Sequence, residues 1–337
     1  MTYRVLIIGC GAIAGGYDLK RSPGEWPLTH AGAIARDDRF ELVACIDPDQ
    51  AAREAFAIRW SVPQSAASIE ALEAPPGSYD VVVIASPTAH HAEHLRASLT
   101  LNPRCVFCEK PLAPGTQVVA NILEEFREAG IPLAVNYTRR WAPDMVELAR
   151  GWRSQWGPFL SAVGTYSKGI VHNGGHLIDL IQMILGPQEI YAVGPAVFDH
   201  WYDDPSVTAL LWHQSCVSPI HLVTGDSRAF TQFELVLTFE KGEVAIRDGG
   251  MRIETRRVIE SPHAAGHRQL SAGESAPGRY AEAMAVAYDN LAQAMETGGP
   301  LASDGASAAS TLAICEEIRR RALNRKDNGP TLMKQNL

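Results

Sequence analysis

A lysine followed by proline stands directly after a short apolar run, where Cys105-Val106-Phe107 leads into Cys108-Glu109-Lys110-Pro111. The run predicts a strand buried in a parallel sheet, so its end would present the Lys110 ammonium at the sheet's carboxyl edge. Open α/β sheets bind ligands at that edge. Partial burial beside a cationic cofactor ring would lower the pKa of Lys110 and let it exchange protons with a substrate hydroxyl. The alternative is a surface lysine in a turn.

The second polar cluster lies further along the chain and reads Tyr166-Ser167-Lys168-Gly169-Ile170-Val171-His172-Asn173-Gly174-Gly175-His176-Leu177-Ile178-Asp179. A helix that begins near residues 174–175, with Asn173 as its N-cap, would place His176 and Asp179 on one face. The carboxylate could then orient the imidazole and raise its basicity. We predict no metal site, because no third ligand joins His172 and His176 at a recognisable spacing. The alternative is a helix start with ordinary polar caps.

A glycine-containing loop follows the first apolar run, residues 3–8, and reads Gly9-Cys10-Gly11-Ala12-Ile13-Ala14-Gly15. Glycines at the first and third positions allow a tight turn and let backbone N–H groups approach a pyrophosphate. Ala14 or Gly15 can supply the small residue that close packing needs. A lone Gly-x-Gly is weak evidence, but its position after the first strand predicts a dinucleotide site.

An aspartate, Asp47, ends the next apolar run, residues 40–46. An acidic side chain here can accept hydrogen bonds from the adenosine ribose hydroxyls and would repel a 2′-phosphate, which favours NAD over NADP. Asp47 could also cap a helix that begins near Pro48.

The helix expected after the glycine loop is delayed. Residues 17–28 show no helical pattern, and a regular pattern resumes only around Thr29. This insert could be a lid over the cofactor or an inert excursion.

The order of predicted elements gives the fold class. Strands and helices alternate through residue 136, which is typical of a doubly wound parallel sheet. The periodicity then changes to two around residues 233–239, which predicts antiparallel strands with one face wet or at an interface. We therefore predict an α/β chain with an N-terminal Rossmann domain, 1–136, and a C-terminal α+β domain with a large, mostly antiparallel open sheet, 137–337. Helices are predicted near 49–60, 89–100, 115–129, 143–155, 279–296 and 304–325, the last with Ser303 or Asp304 as its cap.

Composition excludes several kinds of partner. The 337 residues carry a formal net charge of −8, which offers no basic footprint for nucleic acid or an anionic membrane. Neither a leader segment nor an apolar run of membrane-spanning length is evident, so we expect a cytoplasmic protein. Scattered cysteines suit buried thiols in a reducing compartment better than a disulfide framework; they are Cys10, Cys45, Cys105, Cys108, Cys216 and Cys315.

Taken together, these motifs resemble those of the glucose–fructose oxidoreductase/inositol dehydrogenase (Gfo/Idh/MocA) family. The resemblance covers nearly the whole chain and rests on Gly9-x-Gly11, Asp47, Ser86-Pro87-Thr88-x-x-His91, Glu109-Lys110-Pro111 and Gly175-His176-Leu177-Ile178-Asp179. The Glu-Lys-Pro triplet is specific, whereas the glycine loop alone is not. The family resemblance implies an NAD(P)-dependent oxidoreductase that transfers hydride between nicotinamide and a secondary alcohol or ketone of a sugar, a sugar derivative or a nucleotide sugar.

The resemblance also assigns the candidate site residues. It places Lys110 near nicotinamide and substrate, and gives His176 a part in proton transfer. Many members have an aspartate four residues before this histidine, where this chain has His172, so His172 or Asp179 could take its place as a catalytic residue. The cofactor-binding candidates are Gly9, Cys10, Gly11, Ala12, Ile13, Asp47, Ser86, Pro87, Thr88, His91, Glu109, Lys110 and Asn136. The substrate-binding candidates are Arg140, Tyr166, Lys168 and Asn173, although Arg140 could instead pack the domain junction.

The expected partners follow from the same resemblance: NAD, with NADP possible, a small polyol or sugar-type substrate, and a homodimer or homotetramer formed through the C-terminal sheet. We expect no nucleic acid and no membrane partner. Two other functions stay open, an NAD-assisted non-redox enzyme of the glycosidase type and a non-catalytic dinucleotide-sensing regulator. Lys110 and His176 argue against the regulator, because a pure binder needs no proton-transfer pair.

Overall fold

The structure is a computed structural model that describes residues 2–22, 24–213 and 218–325. Cys216 and the tail beyond residue 325 lie outside the described residues. The chain divides into two compact units, Met1–Met145 with Tyr280–Ser310 and Val146–Arg279 with Thr311–Leu337. The predicted functional division at residue 136 stays a prediction.

The first unit contains a six-stranded parallel sheet, in the order β3-β2-β1-β4-β5-β6. Its strands are β1 Tyr3–Ile8, β2 Phe40–Ile46, β3 Gln64–Ala66, β4 Val81–Ile84, β5 Cys105–Cys108 and β6 Leu133–Val135. β4 and β5 are buried along their whole length, because their uninterrupted apolar runs can be covered on both faces. The predicted doubly wound sheet is confirmed, and its short edge strand β3 was not predicted.

The helices lie close to their predicted positions. They are α1 His30–Arg36, α2 Gln50–Trp60, α3 His91–Thr100, α4 Thr116–Ala129, α5 Pro143–Trp156, α6 Gly174–Leu185, α7 Ala283–Thr297 and α8 Gly305–Leu323. Asp304 caps α8, since its Oδ1 accepts a hydrogen bond of 2.8 Å from the N–H of Ser307.

The insert before α1 is closed at its base by one buried carboxylate. Gly16–Asp18 forms a single 3₁₀ turn, and α1 begins after Thr29, its N-cap. Asp18 accepts hydrogen bonds from the N–H groups of Leu28 and Thr29, and from the Thr29 hydroxyl at 2.6 Å. The two ends of the insert are therefore tied together, which explains why the helix starts late.

The second unit contains a nine-stranded sheet, in the order β14-β13-β12-β11-β7-β10-β9-β8, with β15 paired to β13. Its strands are β7 Phe159–Tyr166, β8 Gln188–Val197, β9 Ser206–His213, β10 Pro219–Thr224, β11 Phe233–Phe239, β12 Gly242–Arg247, β13 Arg252–Glu260, β14 Arg268–Leu270 and β15 Glu274–Pro277. The pairing of β7 with β10 is parallel and the other pairings are antiparallel, which confirms a mostly antiparallel sheet. β11 alternates buried and half-buried residues, as its period of two predicts.

Candidate active site

The glycine loop begins where β1 meets β4. Gly9 has φ +96°, and its N–H donates a 2.7 Å hydrogen bond to the carbonyl of Ile46. A Cβ on Gly9 would lie 2.6 Å from the backbone nitrogen of Ser86, so a side chain there would push the two strand ends apart. Gly11 is exposed, and a Cβ there would meet no atom within 4 Å. The loop is therefore anchored at its first glycine and accessible at its second, as a pyrophosphate cradle requires.

Asp47 is fixed to this loop. Its Oδ2 accepts a 2.9 Å hydrogen bond from the N–H of Cys10, and its Oδ1 accepts one of 2.9 Å from the N–H of Asp49. Asp49, not Asp47, is the N-cap of α2, which corrects the alternative interpretation of Asp47. Each carboxylate oxygen can accept more than one hydrogen bond, so half-buried Asp47 fits the ribose hydroxyls of NAD beside a loop that fits its pyrophosphate.

The imidazole of His91 links the segments that follow strands β4 and β5. Its Nε2 lies 2.8 Å from the carbonyl oxygen of Ser86 and its Nδ1 lies 2.9 Å from that of Pro111. The ring is buried, with 1% of the residue exposed. Both ring nitrogens therefore face backbone carbonyls inside the fold, and cofactor binding by His91 stays a prediction.

Glu109 lies in a buried polar network. Its Oε1 accepts a 2.6 Å hydrogen bond from the amide of Asn136 and lies 3.0 Å from Nε2 of His30. Burial alone would raise the pKa of Glu109, but the hydrogen bond and charge of His30, with Asn136 and Lys110, hold that pKa below its ordinary value. Because an ionised carboxylate only accepts hydrogen bonds, Nε2 of His30 carries the proton in this pair.

Tyr288, on α7, completes the network. Its hydroxyl lies 3.1 Å from Nδ1 of His30. Burial and the nearby charge of Glu109 raise the pKa of Tyr288 well above its ordinary value, so the hydroxyl keeps its proton. Neither His30 nor Tyr288 was among the predicted site residues. A histidine in the first turn after the insert was the available signal.

Lys110 is therefore held from both sides. The network fixes Glu109 before it, and His91 fixes the carbonyl of Pro111 after it. Lys110 itself is half-buried at the carboxyl end of β5, and its peptide bond to Pro111 is cis. The contacts of Glu109 and of the Pro111 carbonyl hold the backbone of Lys110 at the sheet edge that also carries the glycine loop and Asp47.

The cysteines in the same strand are not reactive groups. Burial raises the pKa of the Cys105 thiol to about 12 and that of Cys108 well above its ordinary value.

Among the described residues, no group of three or more His, Cys, Asp or Glu side chains could hold a metal ion. In the same part of the chain, no helix is long and apolar enough to cross a membrane.

The second unit carries the histidine cluster. His176 is half-buried in the first turn of α6, and Asp179 is buried in the same helix, where its Oδ1 accepts a 3.2 Å hydrogen bond from the Thr311 hydroxyl. His172 lies just before α6, with its Nδ1 2.7 Å from Oδ2 of Asp204. No motif pointed to Asp204, which lies 32 positions from His172.

Two of the predicted substrate-binding residues have structural roles. Tyr166 is fully buried, and its hydroxyl donates to the carbonyl of Val207 and accepts from the same residue's N–H. Asn173 does not cap α6 through its side chain, because its amide donates to the carbonyls of Ser167 and Gln232. These side chains hold the turn before α6 in place, and substrate binding by either of them stays a prediction.

The other two substrate-binding candidates, Lys168 and Arg140, are half-buried cationic residues. Lys168 has φ +65°, is half-buried, and its backbone N–H donates a 2.8 Å hydrogen bond to Asp199. Arg140 is half-buried, with its Nη1 3.5 Å from the carbonyl of Ala302.

Comparison with known proteins agrees with this arrangement. Residues 3–137 match the family model GFO_IDH_MocA, described as an oxidoreductase family with an NAD-binding Rossmann fold. The chain is 24% identical over 349 residues to inositol 2-dehydrogenase of Rhizobium meliloti (strain 1021), a match that covers 97% of this chain and 98% of that protein.

Solved structures share the fold over nearly the whole length. The WlbA dehydrogenase from Bordetella pertussis, in complex with NADH and UDP-GlcNAcA, has a TM-score of 0.74 at 18% identity, over 96% of this chain and 97% of that one. An oxidoreductase from Agrobacterium radiobacter, in complex with NAD+, L-tartaric acid and magnesium, has a TM-score of 0.73 at 17% identity, over 96% of this chain and 98% of that one. The glycine loop and the Glu-Lys-Pro triplet both lie within residues 3–137, the part of the chain that matches this oxidoreductase family with an NAD-binding Rossmann fold.

Proposed function

We propose that this protein is an NAD-dependent dehydrogenase or reductase that acts on a secondary alcohol or ketone of a sugar, a cyclitol or a nucleotide sugar. The observation that carries the proposal is the position of Lys110, held from both sides at the sheet edge that bears the glycine loop and Asp47. The names of its relatives support a polyhydroxylated substrate, since one is an inositol dehydrogenase and another was solved with UDP-GlcNAcA.

The residues of the chain would hold the hydroxyl and move its proton. NAD, when bound, supplies the acceptor for the hydride that leaves the alcohol carbon. Lys110 would stabilise the developing alkoxide by charge and exchange a proton with it, and His176 would be a second proton-transfer group. His172 and Asp179 stay as further catalytic candidates, and Arg140 and Lys168 as groups that hold polar parts of the substrate. In this proposal residues 1–136 bind the cofactor and 137–337 the substrate.

The test is a search for NADH formation from NAD+ with a panel of secondary alcohols: myo-inositol, UDP-GlcNAcA and the common aldoses. We expect NADH with at least one of them, and the reverse reaction with the matching ketone. Tightly bound NAD with substrate turnover but no net NADH would instead indicate the NAD-assisted non-redox class. Cofactor binding with neither activity would favour the regulator.

Cofactor choice gives a separate prediction. We expect Asp47→Ser to weaken NAD+ binding by on the order of tenfold, because a charged hydrogen bond to the ribose contributes about 1.5–3 kcal/mol. The same change should strengthen NADP+ binding, since it removes a charge that repels the 2′-phosphate. Titration of each cofactor into the purified variant measures both effects.

Asp49→Ala is the matched control for that experiment. It removes the N-cap of α2, which costs about 1 kcal/mol of stability, and leaves the Asp47 carboxylate in place. If Asp49→Ala changes the ratio of NAD+ to NADP+ affinity as much as Asp47→Ser does, the role proposed for Asp47 is wrong.

The outer face of the nine-stranded sheet supports the proposal of a homo-oligomer. Val163 on β7 is 42% exposed and pairs with His221 on β10 and Val236 on β11. Val223 is 40% exposed on the same face, and Tyr191 on β8 is 65% exposed. Exposed apolar side chains that adjoin one another on a sheet commonly mark an interface. We propose that a second copy of the chain covers them.

Val163→Arg should then disrupt the oligomer, because it places a charge in the centre of an apolar interface. Light scattering coupled to gel filtration is expected to show a dimer or tetramer for the wild type and a smaller species for the variant. Ile58→Arg is the control, since Ile58 is 82% exposed on α2 and lies outside this sheet. A monomeric wild type would contradict the proposed interface.

A cytoplasmic location is part of the proposal. Each of the five cysteines that the structure describes is a free thiol, which suits a reducing compartment.

A further inference from the structure

The turn before α6 joins an accessible imidazole to a buried carboxylate. Nδ1 of His172 lies 2.7 Å from Oδ2 of Asp204. The side chain of Asp204 is 1% exposed and that of His172 is 36% exposed. A carboxylate accepts hydrogen bonds, so this contact places the ring proton on Nδ1 and the lone pair on Nε2. His172 is thus prepared to accept a proton at Nε2.

The backbone around this pair is built to keep it together. Gly169–Asn173 forms one turn of π-helix, a rare element that often occurs at functional sites. The N–H groups of Val171 and His172 both donate to the Asp204 carboxylate, at 3.1 and 2.9 Å. Gly169 has φ +81°, and a Cβ there would collide with that carboxylate. Only glycine lets Asp204 approach the turn so closely.

The ring of His172 is also held on its face. It stacks on the indole of Trp201, with ring centroids 4.7 Å apart and an interplanar angle of 21°. His200 contacts the same indole edge-on, at 4.7 Å. The indole and the Asp204 carboxylate together therefore fix the orientation of the His172 ring.

We propose that His172 is the group on which the substrate's hydroxyl proton ends, and that Asp204 is its positioning residue. This inference rests on the proposed function and adds Asp204 to the site. In the oxidation, the O–H bond breaks and its proton ends on Nε2 of His172. The O–H electron pair becomes the second bond of the carbonyl, and the C–H hydrogen would leave with its electron pair as hydride to bound NAD+, which is the oxidant. In the reduction, the imidazolium returns the proton to the new hydroxyl.

The tautomer of His172 is the first test, on protein with NAD+ and without substrate. Nitrogen NMR of ¹⁵N-histidine-labelled wild type, with His172→Gln to assign the ring, is expected to show the proton on Nδ1 and the lone pair on Nε2. Asp204→Asn is expected to lose this preference, as an asparagine in place of a triad aspartate does elsewhere. A wild-type ring with its proton on Nε2 would overturn the proposal, whatever the substrate is.

Turnover is the second test, with NAD+ and whichever of myo-inositol, UDP-GlcNAcA or an aldose yields NADH with the wild type. His172→Ala is expected to lower turnover by on the order of 10²–10⁴-fold, and free imidazole to restore part of it. Asp204→Asn should lower turnover with no rescue by imidazole, because its own ring is still present. His263→Ala, which removes an exposed histidine from the loop between β13 and β14, is the control for a general loss of imidazole.

The outcomes separate this proposal from the proposed function. Unchanged turnover in a folded His172→Gln variant, together with loss in His176→Gln, would overturn the role of His172 and keep the dehydrogenase. A loss in His172→Ala that imidazole does not restore would show that the turn is only structural, and also overturns it. A wild type inactive on the whole panel counts against the proposed function, and the NMR result then decides the role of Asp204.

Discussion

Lys110→Ala is expected to lower turnover by on the order of 10²-fold or more while NAD+ binding is retained. The loss arises because the ammonium acts on the reacting hydroxyl, whereas the glycine loop and Asp47 hold the dinucleotide. The comparison is between turnover under saturating NAD+ and the dissociation constant of NAD+, both measured on the same variant. A fall in turnover alone assigns Lys110 to the chemical step.

Lys241→Ala is the control for that experiment, since Lys241 is exposed in the turn between β11 and β12. It removes the same charge and should leave turnover unchanged. Turnover of Lys110→Ala equal to that of Lys241→Ala would remove Lys110 from the mechanism, and the function proposed from its position would lose its main support.

Glu109→Ala is expected to destabilise the protein by about 2 kcal/mol, because removing a buried hydrogen-bond acceptor leaves its buried partner unsatisfied. That partner is His30, whose side chain is 0% exposed, whereas the Glu109 side chain is 12% exposed. Asn136 loses its acceptor at the same time. The free energy of unfolding in urea measures the effect, and Lys110 should lose its fixed position with it.

The pH dependence of stability follows from the same carboxyl group. Its folded pKa lies below the ordinary glutamate value, so its contribution is fully present above that ordinary value. The contribution is lost as the pH falls through the lower, folded pKa. Wild type should therefore lose more stability than Glu109→Ala over that acidic range.

Glu54→Ala is the matched control, because Glu54 is exposed on α2 and should change stability by less than about 0.5 kcal/mol. If Glu109→Ala is as stable as Glu54→Ala, the buried network of Glu109, His30 and Asn136 does not hold the backbone of Lys110 in place.

The cofactor half of the site was predictable because its signals are local. An uninterrupted apolar run, a glycine loop and an acidic residue after the next strand each follow their element directly. Asp47 could thus be placed at the sheet edge from the sequence alone, as could Lys110. The cap of α2 was predicted two residues too early. Asp49 accepts hydrogen bonds from N–H groups in the first turn of α2, whereas Asp47 accepts one from the N–H of Cys10.

The supporting contacts were not predictable because they join distant positions. Glu109 meets His30 across 79 positions, and His30 meets Tyr288 across 258. No motif spans such distances. The position of Lys110 was therefore predictable, whereas the contacts that hold its backbone were not.

Contacts between distant positions made the second unit even harder to predict from the sequence. Tyr166 lies in a polar strip of sequence and was expected to bind substrate, yet β7 carries it into the core, where Val207 satisfies its hydroxyl. Strands β7 to β10 were not individually predicted; β7 pairs with β10 and β11, which lie far away in sequence. The carboxylate beside His172 comes from such a distant segment.

The most direct measurement is a crystal structure of the protein with NAD+ bound. We expect the nicotinamide ring to lie at the carboxyl end of β5, with the ammonium of Lys110 and the imidazole of His176 both directed to the same side of that ring. A reacting hydroxyl needs such groups within about 3 Å of itself. A structure in which NAD+ is bound while Lys110 turns away from the nicotinamide ring, or His176 lies far from it, would contradict the proposed active site. Only the fold would then remain supported.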